Sequence, residues 1–545
     1  MKIAIAQINC HIGNFEGNVT KMLERIAEAK AEGADIICFP ELAVCGYPPR
    51  DFLEFDNFIK KSEEAIRQLA AAAAGIAIAV GAPRRNPVIE GKDLYNSAFF
   101  LADGEIKYIY DKVLLPTYDI FDEYRYFEPG SAFGIVKYKG YKIAMTICED
   151  IWNIGNENPL YTVCPMDEMA RHQPDFMLNL SASPFAYDHP EERREIVALN
   201  AKKYATPVFY CNHVGAQTEL IFDGGSVIMS PNGELYEELP YFKEEMKYYD
   251  LEPVKKGRQY QASVTSKIER IHDALVIGIR DYFRKSGLKT AILGLSGGID
   301  SAVVAVLTQR ALGKENVRVL LMPSQFSTDH SIDDARELAE NLGIQYDIIE
   351  IEPIYQTYEK ALHPYFKDLP FNIAEENIQA RARGMLLMAF SNKFGNILLN
   401  TSNKSEMAVG YGTLYGDLAG GISVIGDVYK MEVYELSRYM NKDGEVIPEN
   451  IITKPPSAEL RHDQKDSDSL PDYEVLDEIL YLYINRQLGP KEIIAQGFDE
   501  ALVNRILKMV NRNEFKRHQT APVLRVSAKA FGMGRRMPIV GKYLT

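Results

Sequence analysis

Ser296-Gly297-Gly298-Ile299-Asp300-Ser301 lies between two apolar runs, Thr290–Leu295 and Ala302–Leu307. The first run reads as a buried strand and the second as the start of a helix. Glycines between a strand and a helix let backbone N–H groups close around an anion. Ser296 and Ser301 add hydroxyl donors, and Asp300 adds a carboxylate for a divalent metal. Such a turn holds phosphates. It lacks the Lys with which G-x-x-x-x-G-K-[ST] reaches the terminal phosphates. The chemistry expected is therefore cleavage between the α- and β-phosphates rather than γ-phosphate transfer. A plain Gly-rich turn is the alternative, but Ser, Gly, Gly, Asp and Ser together favour the phosphate site.

Three residues of the first half fall at equivalent places. Glu41 follows Ile36-Ile37-Cys38-Phe39, Lys112 follows Ile106–Tyr110, and Cys148 follows Ile143–Ile147. Each sits just past an apolar strand, where sheet proteins gather their chemistry. A Cys thiol, with a reference pKa of about 8.5, must lose its proton to attack a carbonyl. Glu41 could take that proton, and Lys112 could favour the thiolate and then the tetrahedral oxyanion. The product would be a thioester, with an amine or ammonia leaving. Taken singly, a strand-end Glu or Lys is an ordinary rim charge, and a Cys after apolar residues is ordinary packing.

The elements that must position these groups form two sets. With 545 residues, the chain is longer than one core supports, so two domains are expected. Residues 1–250 alternate short strands with helices, notably Gly17–Ala31 and Glu191–Tyr204, and carry more strand than a doubly wound domain needs. Residues 243–265 are polar with little periodicity, which places a linker at 251–265. Residues 266–545 open with a helix, Ile268–Arg284. Strands at 291–295, 317–322, 346–351 and 396–400 then alternate with helices, which predicts a mainly parallel sheet. Residues 461–471, rich in Asp, Ser and Lys, read as a loop that is mobile or ordered by function.

Composition excludes some classes. The net charge of −15 argues against a non-specific binder of nucleic acid or anionic membrane. Six cysteines with no C-x-x-C pair read as reduced thiols in a cytoplasm. The longest apolar run, Leu69–Pro83, is broken at Gly75 and too short to span a bilayer.

Pro40-Glu41-Leu42, Asp111-Lys112-Val113-Leu114-Leu115-Pro116 and Cys148-Glu149-Asp150-Ile151-Trp152 have the order and rough spacing of the nitrilase superfamily. The first half resembles its glutaminase form. That resemblance implies a four-layer α-β-β-α fold with Glu41, Lys112 and Cys148 as the triad and Glu123 as a supporting second glutamate. It also implies glutamine contacts from Tyr118, Ser183 and the residue six positions later. The family usually has a basic residue there; in this chain it is His189.

The second half resembles the ATP pyrophosphatases, which adenylate a carboxylate or carbonyl oxygen and release pyrophosphate. Glu376–Gly384, Leu399–Glu406, Tyr415-Gly416-Asp417 and Lys430 narrow the match, so the whole chain resembles glutamine-dependent NAD synthetases. The resemblance implies that Gly294, Leu295, Ser296, Gly297, Gly298, Ile299, Asp300, Ser301 and Thr401 bind ATP and that Asp300 and Glu406 hold Mg²⁺. It implies that Asn377, Glu406 and Lys516 contact deamido-NAD. Stand-alone ammonia-using synthetases tend to carry Lys where this chain has Leu414, which leaves Lys430 as the main cation beside the phosphates. A sheltered ammonia passage, glutamine, ATP and deamido-NAD as substrates and a large homo-oligomer are implied by the same resemblance. The rival is another ATP-dependent glutamine amidotransferase with a different acceptor carboxylate.

Overall fold

A computed structural model describes residues 1–155, 159–258, 260, 262, 265–367, 369–462, 464 and 466–544. The chain divides into two compact units, Met1–Val264 and Thr265–Thr545.

The first unit holds two six-stranded sheets. One contains β1 (Lys2–Gln7), β2 (Ile36–Cys38), β3 (Ala77–Arg85), β4 (Leu94–Ala102) and β5 (Glu105–Asp111). The other contains β6 (Val136–Tyr138), β7 (Tyr141–Ile147), β8 (Phe176–Ser181) and β9 (Val208–Asn212). A hairpin of β10 (Val214–Gln217) and β11 (Leu220–Asp223) stands apart; β12 (Val227–Met229), β13 (Leu235–Glu238) and β14 (Glu245–Asp250) complete the sheets. The strand orders are β14-β1-β2-β3-β4-β5 and β13-β12-β9-β8-β7-β6.

One core lies between the sheets, where Ile3, Ile36, Ala79 and Phe100 meet Met145, Leu178 and Phe209. The opposite face of the first sheet, through Ala4, Ile37 and Ile78, packs on helices Phe15–Ala31 and Asp56–Ala72. Helix His189–Tyr204 supplies Ile196, Val197 and Ala201 to the second sheet. Strands buried on both faces carry near-continuous apolar runs rather than alternation. The result is the four-layer α-β-β-α architecture.

The segment read as a linker, 251–265, begins with a helix, Leu251–Lys256, whose Leu251 and Val254 are buried. Residues 259, 261, 263 and 264 of that reading lie outside the described residues. The polar stretch before it contains β14, which pairs antiparallel with β1 from Lys2↔Asp250 to Gln7↔Glu245. Its charged composition suits a strand at the edge of a sheet, where only part of one face is buried.

The second unit contains β15 (Ala291–Gly294), β16 (Val317–Leu321), β17 (Gln345–Ile348), β18 (Ile397–Asn400) and β19 (Ile422–Ser423). All pair in parallel, in the order β17-β16-β15-β18-β19. The order reverses between β15 and β18. In doubly wound sheets the crevice outside the carboxyl ends of such a strand pair is the binding site. The glycine turn follows β15, and Thr401–Glu406 follows β18. The helix expected from Ile332 spans Asp329–Leu342, and that expected around Ile378–Asn392 spans Ile373–Phe394. Within the 461–471 stretch, Asp466–Asp468 forms a turn of 3₁₀ helix; residues 463 and 465 lie outside the described residues. Among the described residues, no helix is long and apolar enough to cross a membrane.

Candidate active sites

In the first unit the chain turns sharply at each predicted strand end. Leu42, directly after Glu41, has φ 47°, and Cys148 has φ 40°. Left-handed backbone at non-glycine residues is costly and survives where its surroundings fix it. Behind Glu41 that surrounding is Gly81, where a Cβ would fall 2.3 Å from the Leu42 nitrogen. The His213 Nε2 also lies 2.6 Å from the Glu41 carbonyl oxygen and donates to it.

The side chains of Glu41, Lys112 and Glu123 meet in a closed cluster. Lys112 Nζ lies 2.7 Å from Glu41 Oε1 and 2.8 Å from Glu123 Oε1. Asn96 Nδ2 donates to Glu41 Oε1 at 2.7 Å and to Glu123 Oε2 at 3.4 Å. Tyr47 donates its hydroxyl to Glu123 at 2.8 Å, and the Ala182 N–H donates to Glu41 Oε2 at 3.0 Å. Burial pushes the Glu41 carboxyl up to about 7, with Lys112 opposing and Glu123 adding to the rise. Burial alone would neutralise Lys112, yet the two carboxylates hold it well above the ordinary lysine range.

Cys148 is buried beside this cluster. Loss of solvent raises its thiol well above the ordinary value; the Glu41 charge adds to the rise, while Lys112 and an Ala182 N–H favour the thiolate. At rest the sulfur is thus a thiol next to a carboxylate of unusual basicity. Asp150 ties the pieces together. It accepts from the N–H groups of Val113 (3.0 Å), Leu114 (2.9 Å) and Ile147 (3.0 Å) and from the Tyr110 hydroxyl (3.0 Å). The loop after Lys112 is thereby fastened to the turn that carries Cys148.

Of the residues expected around glutamine, Tyr118 is exposed and Ser183 is buried. The Tyr118 hydroxyl reaches Glu149 at 3.0 and 3.1 Å, and Tyr161 reaches the same carboxylate at 3.0 Å. The Ser183 N–H donates to Asn212 Oδ1 at 2.9 Å. His189 Nδ1 lies 3.0 Å from the Pro184 carbonyl, which can only accept, so Nδ1 carries the proton. Burial lowers the His189 pKa, and its ring lies 5.2 Å from that of Trp152.

Asn96, Glu149 and Tyr161 were not singled out from sequence. Asn96 did leave a signal, an amide next to Ser97 inside the largely apolar Leu94–Leu101 run. Glu149 and Tyr161 left none, since an acid after a cysteine and a tyrosine in a loop are common.

In the second unit a cavity of about 320 Å³ opens at the switch between β15 and β18. It is lined by Gly294, Leu295, Ser296, Gly298, Ile299, Asp300, Ser301, Thr401, Glu406 and Lys430. Gly297 stands behind the turn, at φ +77° with a Cβ position 2.3 Å from the Ser331 carbonyl oxygen, so only glycine fits. Ser296 Oγ accepts from the Gly298 N–H at 3.2 Å, and Ser301 Oγ donates to the Gly298 carbonyl at 3.0 Å. Helix Ile299–Leu312 begins at this turn.

Lys430 bridges two acids, at 2.5 Å from Asp300 Oδ2 and 3.6 Å from Glu406 Oε1. Asn403 Nδ2 donates to Asp300 Oδ1 at 2.8 Å. Burial, then the Asp300 charge, pushes Glu406 up to about 8. One lysine serves both acids, and a second negative charge beside Asp300 is disfavoured without a further cation. Two carboxylates that await further oxygen donors suit a hard divalent ion that also holds substrate phosphates.

Asn377 and Lys516 lie outside the cavity lining and converge on the segment beside it. Asn377 Oδ1 accepts from Thr413 at 2.6 Å, and Lys516 Nζ reaches the carbonyls of Gly410 (2.7 Å) and Gly412 (2.8 Å). Arg381 donates to the Leu414 carbonyl at 3.2 Å.

The carbon-nitrogen hydrolase family matches residues 2–256, and the NAD synthase family matches residues 271–520. Over the whole chain, the glutamine-dependent NAD(+) synthetase of Synechocystis sp. is 46% identical, covering 98% of each protein. That of Thermotoga maritima is 41% identical over 100% of this chain and 99% of its own. The structure of glutamine-dependent NAD+ synthetase from Acinetobacter baumannii in complex with adenosine diphosphate superposes with a TM-score of 0.78 at 40% identity, covering 99% of this chain and 98% of that one. A nitrilase-like unit with a buried Glu–Lys–Cys cluster, joined to a parallel-sheet unit with a glycine turn at its switch point, agrees with relatives matched from end to end. The chain belongs to the glutamine-dependent NAD(+) synthetases, ligases that form a C–N bond with glutamine as the amide donor.

Proposed function

We propose that the chain makes NAD by two coupled reactions with the following assignment of roles. In the first unit Glu41 takes the proton of Cys148, and the sulfur attacks the side-chain carbonyl of glutamine. Lys112 stabilises the oxyanion. Glu41 returns the proton to the departing nitrogen, so ammonia leaves and a γ-glutamyl thioester remains. Water, deprotonated by Glu41, then releases glutamate. Glu123 holds Lys112 in place. Tyr118, Ser183 and His189 contact the substrate, His189 standing in for the usual basic residue.

In the second unit the N–H groups of the turn from Gly294 to Ser301, together with Thr401, hold ATP; the relative solved with adenosine diphosphate supports a nucleotide in this fold. Lys430 offsets phosphate charge. Asp300 and Glu406 would hold Mg²⁺, which when bound neutralises phosphate oxygens and polarises the reacting phosphorus. The nicotinate carboxylate of deamido-NAD, contacted by Asn377, Glu406 and Lys516, attacks the α-phosphorus, and pyrophosphate leaves. Ammonia attacks the adenylate, giving NAD and AMP. Ammonia is mostly protonated in neutral water and then cannot attack, so a sheltered passage belongs to the same reading; the large homo-oligomer is what the family resemblance implies.

The observation that carries the glutaminase assignment is the buried Glu41–Lys112–Glu123 cluster beside Cys148. Acid quenching during glutamine turnover, followed by peptide mass spectrometry, tests it. A γ-glutamyl adduct on the Cys148 peptide is expected; turnover with the adduct on another residue contradicts it.

A further inference from the structure

Asp477, on helix Tyr473–Ile484, is 7% exposed and lies outside the lining of the second-unit cavity. Among the described residues no ion pair joins it to a cation. A carboxylate taken out of water is costly unless donors fill its oxygens. Here the first turns of two other helices fill them. Ser405, the second residue of helix Lys404–Val409, donates its hydroxyl to Oδ1 at 2.5 Å. Met431, the second residue of helix Lys430–Met440, donates its N–H to Oδ2 at 2.8 Å. The Lys430 N–H donates to Ser405 Oγ at 3.0 Å. The first N–H groups of a helix have no partner within it. The two that open the Lys430 helix thus end on one carboxylate, directly or through Ser405, and the helix dipole favours negative charge there.

Both donors adjoin residues of the site. Glu406 follows Ser405, and Lys430 precedes Met431. Tyr473 lies one helical turn before Asp477 and shares its face, and Lys430 Nζ stands 5.3 Å from the centre of the Tyr473 ring. One helix face therefore holds Lys430 at both ends, its backbone through Asp477 and its ammonium over an aromatic ring. A lysine stem is flexible, so a cation that must meet Asp300, Glu406 and incoming phosphates needs its backbone fixed. The roots of the two loops are joined separately. The Lys404 N–H donates to the Val428 carbonyl at 2.9 Å, and its ammonium pairs with Asp427 at 2.7 Å with both side chains 0% exposed. The Asp477 contacts thus bear on the first turns of the helices rather than on whether the loops are attached.

We infer that Asp477 is a positioning residue: through Ser405 and Met431 it sets Lys430 against Asp300 and Glu406, and so acts on ATP without touching it. The inference rests on the reading of Lys430 as the cation that offsets phosphate charge.

The test measures ATP binding to the full chain by calorimetry, with Mg²⁺ and without deamido-NAD, in wild type, Asp477→Asn, Lys430→Met and the double variant. Asn has one acceptor oxygen in place of two, so Ser405 and Met431 can no longer both donate to it. Lys430→Met is expected to weaken binding roughly 10- to 100-fold, the worth of a charge-assisted hydrogen bond, and Asp477→Asn roughly 3- to 10-fold. The double variant should bind as Lys430→Met alone does, because residues that act through one group do not add. A merely structural role predicts instead that the two losses multiply. Multiplied losses overturn the inference, and so does Asp477→Asn with wild-type affinity. Ser405→Ala removes the same link and serves if Asp477→Asn does not fold; it should show the same coupling to Lys430→Met, and losses that multiply there overturn the inference equally. If Lys430→Met binds ATP as the wild type does, the underlying reading of Lys430 falls and the inference with it, so the two failures are distinguishable.

Discussion

Lys112 and Glu41 form an ion pair from which water is excluded: Nζ and Oε1 are 2.7 Å apart and both side chains are 0% exposed. Taking both charges out of water is expensive, and their attraction offsets that cost only where the remaining hydrogen-bonding positions are filled. Asn96, Glu123 and the Ala182 N–H fill them. On the proposed roles the pair serves reactivity rather than stability, since it keeps a strong base and a cation at the same sulfur.

Removing one partner of such a pair strands the other. Lys112→Met should lower the stability of the first unit by about 3–5 kcal/mol and abolish glutamine hydrolysis. Thermal unfolding monitored with and without glutamine checks this. A variant as stable as the wild type would contradict the closed cluster.

Glutamine hydrolysis should fail in acid because the base becomes protonated. Burial places Glu41 at about 7. Below that value the fraction of free carboxylate falls, so kcat/KM for glutamine should drop about tenfold per pH unit. A profile flat down to pH 5 would exclude Glu41 as the base.

Asn96 tunes that limb. Its amide donates to the ionised Glu41 carboxylate at 2.7 Å and favours the charged form. Asn96→Ala should move the acid limb to higher pH, by about one unit at most. Movement to lower pH would reverse the assigned role.

The second site should fail separately. Gly297→Ala puts a methyl group 2.3 Å from the Ser331 carbonyl oxygen at a φ of +77°. Strain of about 1–3 kcal/mol should weaken ATP binding roughly 10- to 100-fold, measured by calorimetry. NAD formation should fall with either glutamine or ammonium, while Cys148 still forms its glutamyl adduct.

Chelation by EDTA should stop NAD formation from either donor, and Mg²⁺ should restore it, because Asp300 and Glu406 share one lysine and a further cation lets both ionise beside the phosphates. Undiminished synthesis in EDTA would contradict that donor set.

Much of this was legible in the sequence because it is local. Glu41, Lys112 and Cys148 each end an apolar run, and the glycine turn sits between a strand pattern and a helix pattern. What escaped depends on contacts far apart in the chain. Asn96, on β4, meets Glu41, just past β2, only once β3 has paired with both strands. β14 reads as a polar stretch because its partner, β1, lies more than two hundred residues earlier. Glu149 looks like any acid after a cysteine until Tyr118 and Tyr161 close on it. Lys516 and Asn377, read as ligand contacts, bond to the 410–413 segment, an interaction that no spacing in one chain reveals.

The most direct test of the account is NAD formation from deamido-NAD, ATP and Mg²⁺ by wild type and Cys148→Ala, each supplied with glutamine or with ammonium. The account predicts that the variant loses synthesis from glutamine and keeps synthesis from ammonium, because the nucleophile and the glycine turn serve different halves of the reaction. A variant that still makes NAD from glutamine, or a wild type that makes none from either donor, would contradict it.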